Sequence, residues 1–239
     1  MFRLFITLII VIFSHFVFAD DDRIVYRAAM DTPKDLKAAG GFFPRGMDRT
    51  RPNQPPPDIS LWNHVNGTGT GMARHDSGYV STTVNRNLAI RWVSSYLNHN
   101  GYVYHIHTTP NFIDVNGTLG RYSPHSPEQE MAALGVIHWT QIIGWERVSG
   151  GTVGRFVRNP DYRERIYSGF SSGGTQPQLA GFPDNHQAWG QEPWSSYANC
   201  ELKSTCTPKN SAQKFGEEWF LKSHKAVAKV MLQALHVGD

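Results

Sequence analysis

Two glutamates, Glu128 and Glu130, stand two residues apart, a spacing that suits a pair of cooperating carboxylates. On an extended strand, side chains at positions i and i+2 point to the same face. The spacing therefore predicts a site in which one carboxylate holds a sugar hydroxyl and the other faces an incoming nucleophile. Two upstream segments, residues 26–28 and 78–83, complete a pattern that indicates NAD chemistry.

The same stretch also fits the start of a helix. Ser126 is a suitable N-cap, Pro127 suits the first helical position, and the acids that follow would lie in the first turn. Residues 131–135 are mostly apolar, as the buried side of a helix would be. The local residues leave both structures open, and only the two upstream segments favour the strand.

Several segments carry signals for the elements that must position these groups. Thr32 with an acid three residues later predicts a helix start, and Gly40 predicts its end. Residues 86–98 place apolar side chains on one helical face. Residues 102–107 and 140–145 are rich in aromatic and β-branched residues, which predicts two strands.

Two stretches are predicted to be irregular. Residues 44–57 hold three arginines and a triple proline, so they form neither a helix nor a central strand. A surface loop of that length is either a lid or a disordered insert, and the residues leave both open. Residues 66–71 are rich in glycine but lack the spacing of a nucleotide fingerprint, which favours a flexible turn.

The first 19 residues have the pattern of a secretory signal. One base precedes an apolar run over residues 4–18, which ends at Ala19 and is too short for a membrane anchor. Loss of Arg3 leaves 22 of the 23 basic residues against 20 acidic ones, a formal charge of +2. The bases are scattered among acids, so no nucleic-acid partner is implied. We expect a secreted protein.

Cys200 and Cys206 are predicted to form one disulfide, because export is oxidising and the enclosed segment is polar. The alternative, a metal held by two thiolates, needs two further ligands, and none is close in sequence. Lys203 is the only basic residue between the cysteines and is the predicted site of a proteolytic cut. Residues 217–237 predict a long amphipathic helix, which either folds back on the domain or docks to a partner.

Nine short segments, taken together, resemble the A chains of cholera toxin and the heat-labile enterotoxins. In order along the chain they are residues 25–28, 40–46, 61–64, 74–82, 119–124, 128–130, 141–145, 180–183 and 192–194. The likeness runs through nearly the whole mature chain up to Cys200. It implies an NAD-dependent ADP-ribosyltransferase with a mixed α/β (α+β) fold, in which flanking helices surround a split β-sheet and a long C-terminal helix follows.

The resemblance also implies roles for individual residues. Glu130 would bind the nicotinamide ribose, Glu128 would prepare an acceptor guanidinium, and His64 would belong to the active site. Arg27 would hold the site together and contact the NAD phosphates, and Ser81 would bond the acids. The full set of expected NAD-binding residues is Tyr26, Arg27, Ala28, Arg45, Ser81, Thr82 and Glu130.

The residue types suit that chemistry independently. Cleavage of the bond between ribose and nicotinamide passes through an oxocarbenium-like state, which a fixed carboxylate at Glu130 would stabilise. A guanidinium is a poor nucleophile, so a second carboxylate at Glu128 would orient it and accept a proton. Arg27 offers a planar fork of donors for a diphosphate that lysine does not reproduce.

Two departures from the family pattern affect regulation and routing. After Arg27 the chain reads Ala-Ala-Met-Asp where the family usually has Ala-Asp-Ser-Arg, which puts in doubt how the lid loop is held. The sequence ends in His-Val-Gly-Asp, without a Lys-Asp-Glu-Leu type of retrieval signal. The expected organisation is a signal at 1–19, a catalytic domain at 20–203 and a helical tail at 204–239 that docks in a ring of B subunits, expected to be a pentamer.

The activity that the resemblance implies is transfer of ADP-ribose from NAD to an arginine of a host protein, the α subunit of the stimulatory G protein, with a host small GTPase as the activator. One rival is modification of a cysteine on inhibitory G proteins, as in pertussis toxin, against which Glu128 argues. Another is an inactive binding subunit, against which the intact set of site residues argues. A zinc hydrolase at His105 and His107 lacks a supporting helical motif.

Overall fold

The computed structural model describes residues 23–48, 50, 54, 56–68, 74–202, 205–210, 212, 214, 215 and 218. The predicted signal at 1–19, the predicted cut at Lys203 and most of the predicted helix at 217–237 lie outside these residues. Within the described part, no helix is both long and apolar enough to cross a membrane.

Eleven strands and five α-helices make up the regular structure of the described residues. The strands are β1 (Ile24–Ala29), β2 (Gly41–Phe42), β3 (Tyr79–Thr83), β4 (Gly101–His107), β5 (Phe112–Asp114), β6 (Glu130–Leu134), β7 (Ile137–His138), β8 (Ile142–Ser149), β9 (Thr152–Arg158), β10 (Ala198–Leu202) and β11 (Thr205–Pro208). The helices are α1 (Pro33–Ala39), α2 (Leu61–Asn66), α3 (Arg86–Tyr96), α4 (Val115–Leu119) and α5 (Glu164–Tyr167). Short 3₁₀ turns connect several of them.

Seven strands form one antiparallel sheet in the order β5-β6-β3-β1-β4-β8-β9. The central strand β1 pairs with β4 along its whole length, from Ile24 to Ala29. On its other side it meets β3 at a single register pair, Tyr26 with Thr83. The sheet therefore splits between β1 and β3, which confirms the expected split-sheet fold and leaves backbone groups of both strands available to side chains.

Local signals account for two helices that frame this split. The Thr32 side chain accepts a hydrogen bond from the Asp35 amide at 3.2 Å, and Gly40 ends α1 at φ 87°, a left-handed conformation that favours glycine. Asn85 caps α3 by accepting from the Leu88 amide at 3.1 Å. Both helices were predicted, α3 to within two residues of its observed end.

Three clusters of buried apolar side chains hold the sheet and its helices together. One lies against α1 and the strand pair β2–β7, and a second joins α3 to β1 and β4. The largest gathers α2, α4 and the aromatic segments before Cys200, with Leu61, Leu119, Leu179, Trp189 and Trp194 among its members. These clusters fix the elements that carry the chemistry-bearing residues.

The disulfide between Cys200 and Cys206 is present, as predicted. The two cysteines face each other as register partners in the antiparallel pair β10–β11. The strand predicted at 140–145 is displaced, because Trp139–Gln141 forms a 3₁₀ turn and β8 begins only at Ile142.

The loop predicted at residues 44–57 is hydrogen-bonded to the rest of the chain near both of its ends. The Gly46 amide donates to the Ser77 carbonyl at 2.8 Å, and the Asp58 amide donates to the Asp76 carbonyl at 2.6 Å. Both ends of the loop therefore meet the segment that leads into β3. Between those ends, residues 49, 51–53 and 55 lie outside the described part, as do residues 69–71 of the predicted glycine-rich turn.

Candidate active site

Arg27 lies where the sheet splits. Its Nη1 atom donates to the Ser81 carbonyl at 2.6 Å, taking the place of a backbone bond between β1 and β3. Its guanidinium also lies over the ring of Phe42, 5.1 Å from the centroid. The Arg27 Nε atom is buried and has no hydrogen-bond partner among the described residues. A buried donor in that state is an available contact for a ligand acceptor.

Glu130 begins β6, and its side chain contacts His64 on α2. Its Oε1 atom lies 3.0 Å from His64 Nε2, and the Ser81 Oγ atom lies 3.2 Å from the same nitrogen. The other imidazole nitrogen, Nδ1, lies 2.7 Å from Ser77 Oγ. With partners on both nitrogens, the His64 ring has one orientation and presents a fixed edge to the carboxylate.

Local structure explains why His64 reaches the carboxylate. Ser60 caps α2 by accepting from the Asn63 amide at 3.0 Å, and its own hydroxyl donates to the Gly181 carbonyl at 2.8 Å. At Gly181 a Cβ atom would lie 2.5 Å from Ser60 Oγ, so only glycine permits this approach. The start of α2 is thus fixed, and His64 follows one turn later.

The environment of Glu130 favours its ionised form. Burial opposes ionisation, but the charge and hydrogen bond of His64, the hydroxyl of Ser81 and the positive charge of Arg27 outweigh it. Together they hold the pKa of the Glu130 carboxyl below its usual range. The carboxylate is therefore available as a fixed negative charge.

The prediction that Glu128 and Glu130 share one strand is wrong. Glu128 closes a 3₁₀ turn at Ser126–Glu128, Gln129 is left-handed at φ 48° and ψ 48°, and the strand starts only at Glu130. The alternative, a helix with Ser126 as its N-cap, is also wrong, because a single 3₁₀ turn forms in which His125 holds the N-cap position without a side-chain cap. A backbone reversal between the two carboxylates removes the i, i+2 relation on which the prediction rested.

Glu128 differs from Glu130 in its electrostatics as well. Its side chain is half-buried, and burial raises the pKa of its carboxyl. The negative charge of Glu130 adds to that increase, whereas His125 opposes it. Two neighbouring carboxyl groups with pKa values shifted in opposite directions suit different tasks, one as a permanent charge and the other as a proton acceptor.

The other expected NAD-binding residues lie around this cluster rather than in it. The side chains of Tyr26 and Ala28 pack with α3 on the sheet, and Thr82 is buried with its Oγ1 donating to the Met131 carbonyl at 2.5 Å. Arg45 is exposed, and its positive charge acts on Arg27. The structure thus brings Arg27, His64, Ser81 and Glu130 together, with Glu128 in the adjoining turn.

Ser77 and Phe42 support the cluster, although no motif of the sequence predicted a role for them. Ser77 orients His64, and Phe42 lies under the guanidinium of Arg27. Both lie inside segments that carried the family resemblance. Membership in those segments was the one signal that pointed to them.

His105 and His107, the pair considered for a zinc site, have separate protein partners. His105 Nε2 lies 2.9 Å from Glu146 Oε2, and His107 Nδ1 lies 2.8 Å from the Tyr162 hydroxyl. Over the part of the chain that is described, no three His, Cys, Asp or Glu side chains are grouped so as to hold a metal ion.

This chain is similar in sequence and in structure to known enterotoxin A chains. A family model described as heat-labile enterotoxin alpha chain matches residues 3–231. The cholera enterotoxin A chain from Vibrio cholerae serotype O1 is 38% identical over 229 residues, covering 90% of this chain and 88% of that protein. The NAD(+)-arginine ADP-ribosyltransferase Chelt of Vibrio cholerae is 40% identical over 200 residues, covering 81% of this chain and 33% of that protein. A solved heat-labile enterotoxin double mutant matches with a TM-score of 0.74 and 35% identity, covering 88% of this chain and 95% of that one.

Proposed function

This chain belongs to the family of heat-labile enterotoxin alpha chains, and we propose that it transfers ADP-ribose from NAD to an arginine side chain of a protein. The observation that carries the proposal is the cluster of Arg27, His64, Ser81 and Glu130 at the split of the sheet. It combines a carboxylate that is held ionised with a buried guanidinium whose Nε atom has no hydrogen-bond partner among the described residues.

Glu130 supplies electrostatic stabilisation in the proposed reaction. The bond between C1′ of the ribose and the nicotinamide nitrogen breaks, and its electron pair leaves with nicotinamide. Positive charge then develops on the ribose, and a carboxylate held ionised by its neighbours stabilises it without reorganising. His64 and the Ser81 hydroxyl both hydrogen-bond the Glu130 carboxylate and hold it in place for this task.

Arg27 binds the diphosphate of NAD in this proposal. A planar guanidinium donates two parallel hydrogen bonds to phosphate oxygens, and the partnerless Nε atom supplies one of them. Arg45 adds a second positive charge, since its charge already acts on Arg27. Two like charges near one another favour an anionic ligand between them.

Glu128 prepares the acceptor. A guanidinium nitrogen of the acceptor arginine forms the new bond to C1′, and the proton that this nitrogen loses passes to Glu128. A raised pKa suits a carboxylate that must accept a proton. The turn at Gln129 sets Glu128 apart from Glu130, which leaves room for an acceptor beside the ribose.

We extend the proposal to partners and location. The acceptor is the α subunit of the stimulatory G protein, a host small GTPase is the activator, and the tail at 204–239 docks in a pentameric ring of B subunits. The chain is exported through its first 19 residues and acts inside a host cell. The names of two relatives support the coarser part of this proposal, one as a subunit of an enterotoxin and one as an arginine-directed ADP-ribosyltransferase.

The disulfide supports a proposal of latency. A cut at Lys203 would leave the catalytic domain and the tail joined by Cys200 and Cys206 until the bond is reduced. Trypsin treatment followed by gels with and without reductant tests this. Two fragments that separate only after reduction, with higher transferase activity, are expected, and full activity of the uncut chain would contradict latency.

The experiment that tests the proposed function uses NAD labelled in the ADP-ribose part. Purified chain is incubated with host cell lysate, and mass spectrometry locates the labelled residue. We expect an arginine. Label on a cysteine would support the pertussis-like alternative, and absence of both transfer and NAD hydrolysis would support an inactive binding subunit.

The division of labour between the two carboxylates is tested with Glu128→Gln. This variant should keep most NAD hydrolysis by water while losing transfer to arginine, because water needs no guanidine-orienting carboxylate. A proportional fall of both activities would contradict the assigned roles. The acid limb of the pH profile should also lie at higher pH for transfer than for hydrolysis, because the pKa of Glu128 is raised and that of Glu130 is lowered.

A further inference from the structure

The turn that separates the two carboxylates is held in an unfavourable conformation. Gln129 has φ 48° and ψ 48°, a left-handed backbone that is unfavourable for a residue with a Cβ atom. Such a conformation persists only where its surroundings enforce it. The contacts that enforce it are therefore candidates for controlling where Glu128 lies.

Three hydrogen bonds reach this turn from the last residue of β3 and the two residues that follow it. The Thr83 hydroxyl donates to the Glu128 carbonyl at 2.7 Å, and the Val84 amide donates to the Gln129 carbonyl at 3.3 Å. The third bond is between side chains, from Asn85 Nδ2 to Gln129 Oε1 at 3.3 Å. Segment 83–85 thus holds both the backbone and the side chain of the turn.

Asn85 uses each part of its amide for a different purpose. Its Oδ1 atom accepts from the Leu88 amide at 3.1 Å and so caps α3, while its Nδ2 atom holds Gln129. Its backbone amide donates to Thr83 Oγ1 at 3.0 Å, the hydroxyl that donates to Glu128. Asn85 therefore links the start of α3 to Gln129 directly and to Glu128 through Thr83.

The start of α3 is a firm anchor for this link. Arg86, the first residue of the helix, donates to Glu146 Oε2 from Nε at 2.7 Å and to Oε1 from Nη2 at 2.5 Å. Glu146 is on β8, so the helix start is tied to the sheet two strands beyond β1. Motion at Asn85 is restricted by this bidentate pair.

We propose that Asn85 is a positioning residue that sets the Glu128 carboxylate for the acceptor, and that it thereby favours transfer over hydrolysis of NAD. The inference rests on the proposed roles of Glu128 and Glu130. Glu130 has its own supports in His64 and Ser81, which do not involve Asn85. Loss of the Asn85 side-chain contact should therefore reduce transfer and spare hydrolysis.

The variant that isolates this contact is Asn85→Ser. Serine caps a helix about as well as asparagine, so α3 keeps its cap, but its hydroxyl is too short to reach Gln129. We expect kcat for transfer to a small guanidine such as agmatine to fall about 3- to 10-fold, the equivalent of one lost neutral hydrogen bond. NAD hydrolysis, the KM for NAD and the thermal unfolding midpoint should stay within error of the unaltered chain.

A matched variant removes the same contact from the other side. Gln129→Met keeps the length of the side chain and loses the acceptor, so it should lower the transfer-to-hydrolysis ratio by a similar factor. The double variant should be no worse than either single one, because both remove one interaction. Independent, multiplicative effects would show that Asn85 and Gln129 act separately and would overturn the proposal.

The remaining outcomes are decided with Glu128→Gln in the same assays. If Glu128→Gln lowers the ratio but Asn85→Ser and Gln129→Met leave it unchanged, Asn85 does not position the turn, although the roles of the carboxylates stand. If Glu128→Gln also leaves the ratio unchanged, the division of roles fails instead. Equal loss of transfer and hydrolysis in Asn85→Ser, with a lowered unfolding midpoint, would show a merely structural role.

Discussion

Two buried glutamate–histidine pairs lie in different parts of this molecule and differ in what they leave unsatisfied. Glu130 pairs with His64 at 3.0 Å in the cleft, and Glu146 pairs with His105 at 2.9 Å on β8 and β4. The two glutamates are 8% and 6% exposed, so solvent exposure does not distinguish them. The arginine beside each pair does.

Arg86 saturates Glu146 with two parallel hydrogen bonds, whereas Arg27 forms no ion pair with Glu130 among the described residues and binds a carbonyl instead. The bond from Arg86 is the foremost cause that lowers the pKa of Glu146, and that carboxylate is fully engaged. By contrast, the buried Nε atom of Arg27 has no hydrogen-bond partner among the described residues. A saturated cluster stabilises the fold, and an unsaturated one leaves capacity for a ligand.

Glu130→Gln should have the largest effect on activity. Loss of the fixed negative charge should reduce both NAD hydrolysis and transfer by about 100- to 1000-fold, the range for one oriented electrostatic contact. The unfolding midpoint should change little, because the amide can still hydrogen-bond His64. Single-turnover assays and thermal unfolding measure the two effects, and a loss below about tenfold would contradict the electrostatic role.

Arg27→Lys should come next. Lysine keeps the charge but loses the planar fork, so NAD binding and turnover should fall by about 10- to 100-fold, the equivalent of a charged hydrogen bond. Calorimetric titration with NAD and steady-state kinetics provide the measurement. Normal NAD turnover in a folded variant would show that Arg27 Nε does not bind a ligand.

Glu146→Gln is the counterpart of Glu130→Gln and should show the opposite pattern. The variant should lose roughly 1–3 kcal/mol of unfolding free energy, a range reduced because Arg86 is 37% exposed and partly screened by solvent. NAD hydrolysis per folded molecule should stay within about twofold, since no substrate contact is removed. Urea unfolding and NAD hydrolysis assays measure the two effects. A large loss of hydrolysis with unchanged stability would contradict the structural role of Glu146 and its difference from Glu130.

His105→Gln should have the smallest effect, visible only in the pH dependence of stability. Burial lowers the pKa of His105, with Glu146 opposing, so on acidification the unfolded chain binds a proton before the folded one does. The unaltered chain should therefore lose stability as pH falls below about 6.5, and the variant should lose less. The urea midpoint of unfolding, measured across that pH range, tests this. An equal dependence of the midpoint on pH in both proteins would contradict the prediction.

Local signals were sufficient for the elements that depend on a few neighbouring residues. The cap at Thr32 and the stop at Gly40 predicted α1, and the apolar face of residues 86–98 predicted α3. The strand expected at 140–145 begins only at Ile142, because its first residues are used in a 3₁₀ turn. Boundaries are less predictable than elements, since distant contacts decide where a strand begins.

The turn at Gln129 shows where local signals fail. Residues 126–130 fitted both a strand and a helix start, and the structure is a single 3₁₀ turn followed by a left-handed residue and a strand. The groups that select this structure, Thr83 and Asn85, lie more than 40 residues away in the sequence. No pattern within residues 126–130 could therefore have indicated Thr83 or Asn85.

The sequence by itself determined the chemistry available to this protein: two carboxylates two residues apart, an arginine on the first strand, a serine on a second and a disulfide before the tail. The tertiary structure decided which groups meet. His64 and Glu130 are 66 residues apart in the sequence, and Arg86 and Glu146 are 60 apart. Burial and hydrogen-bond partners set the ionisation state and the orientation of each of these side chains. The burial and the partners exist only after the sheet and its helices have packed.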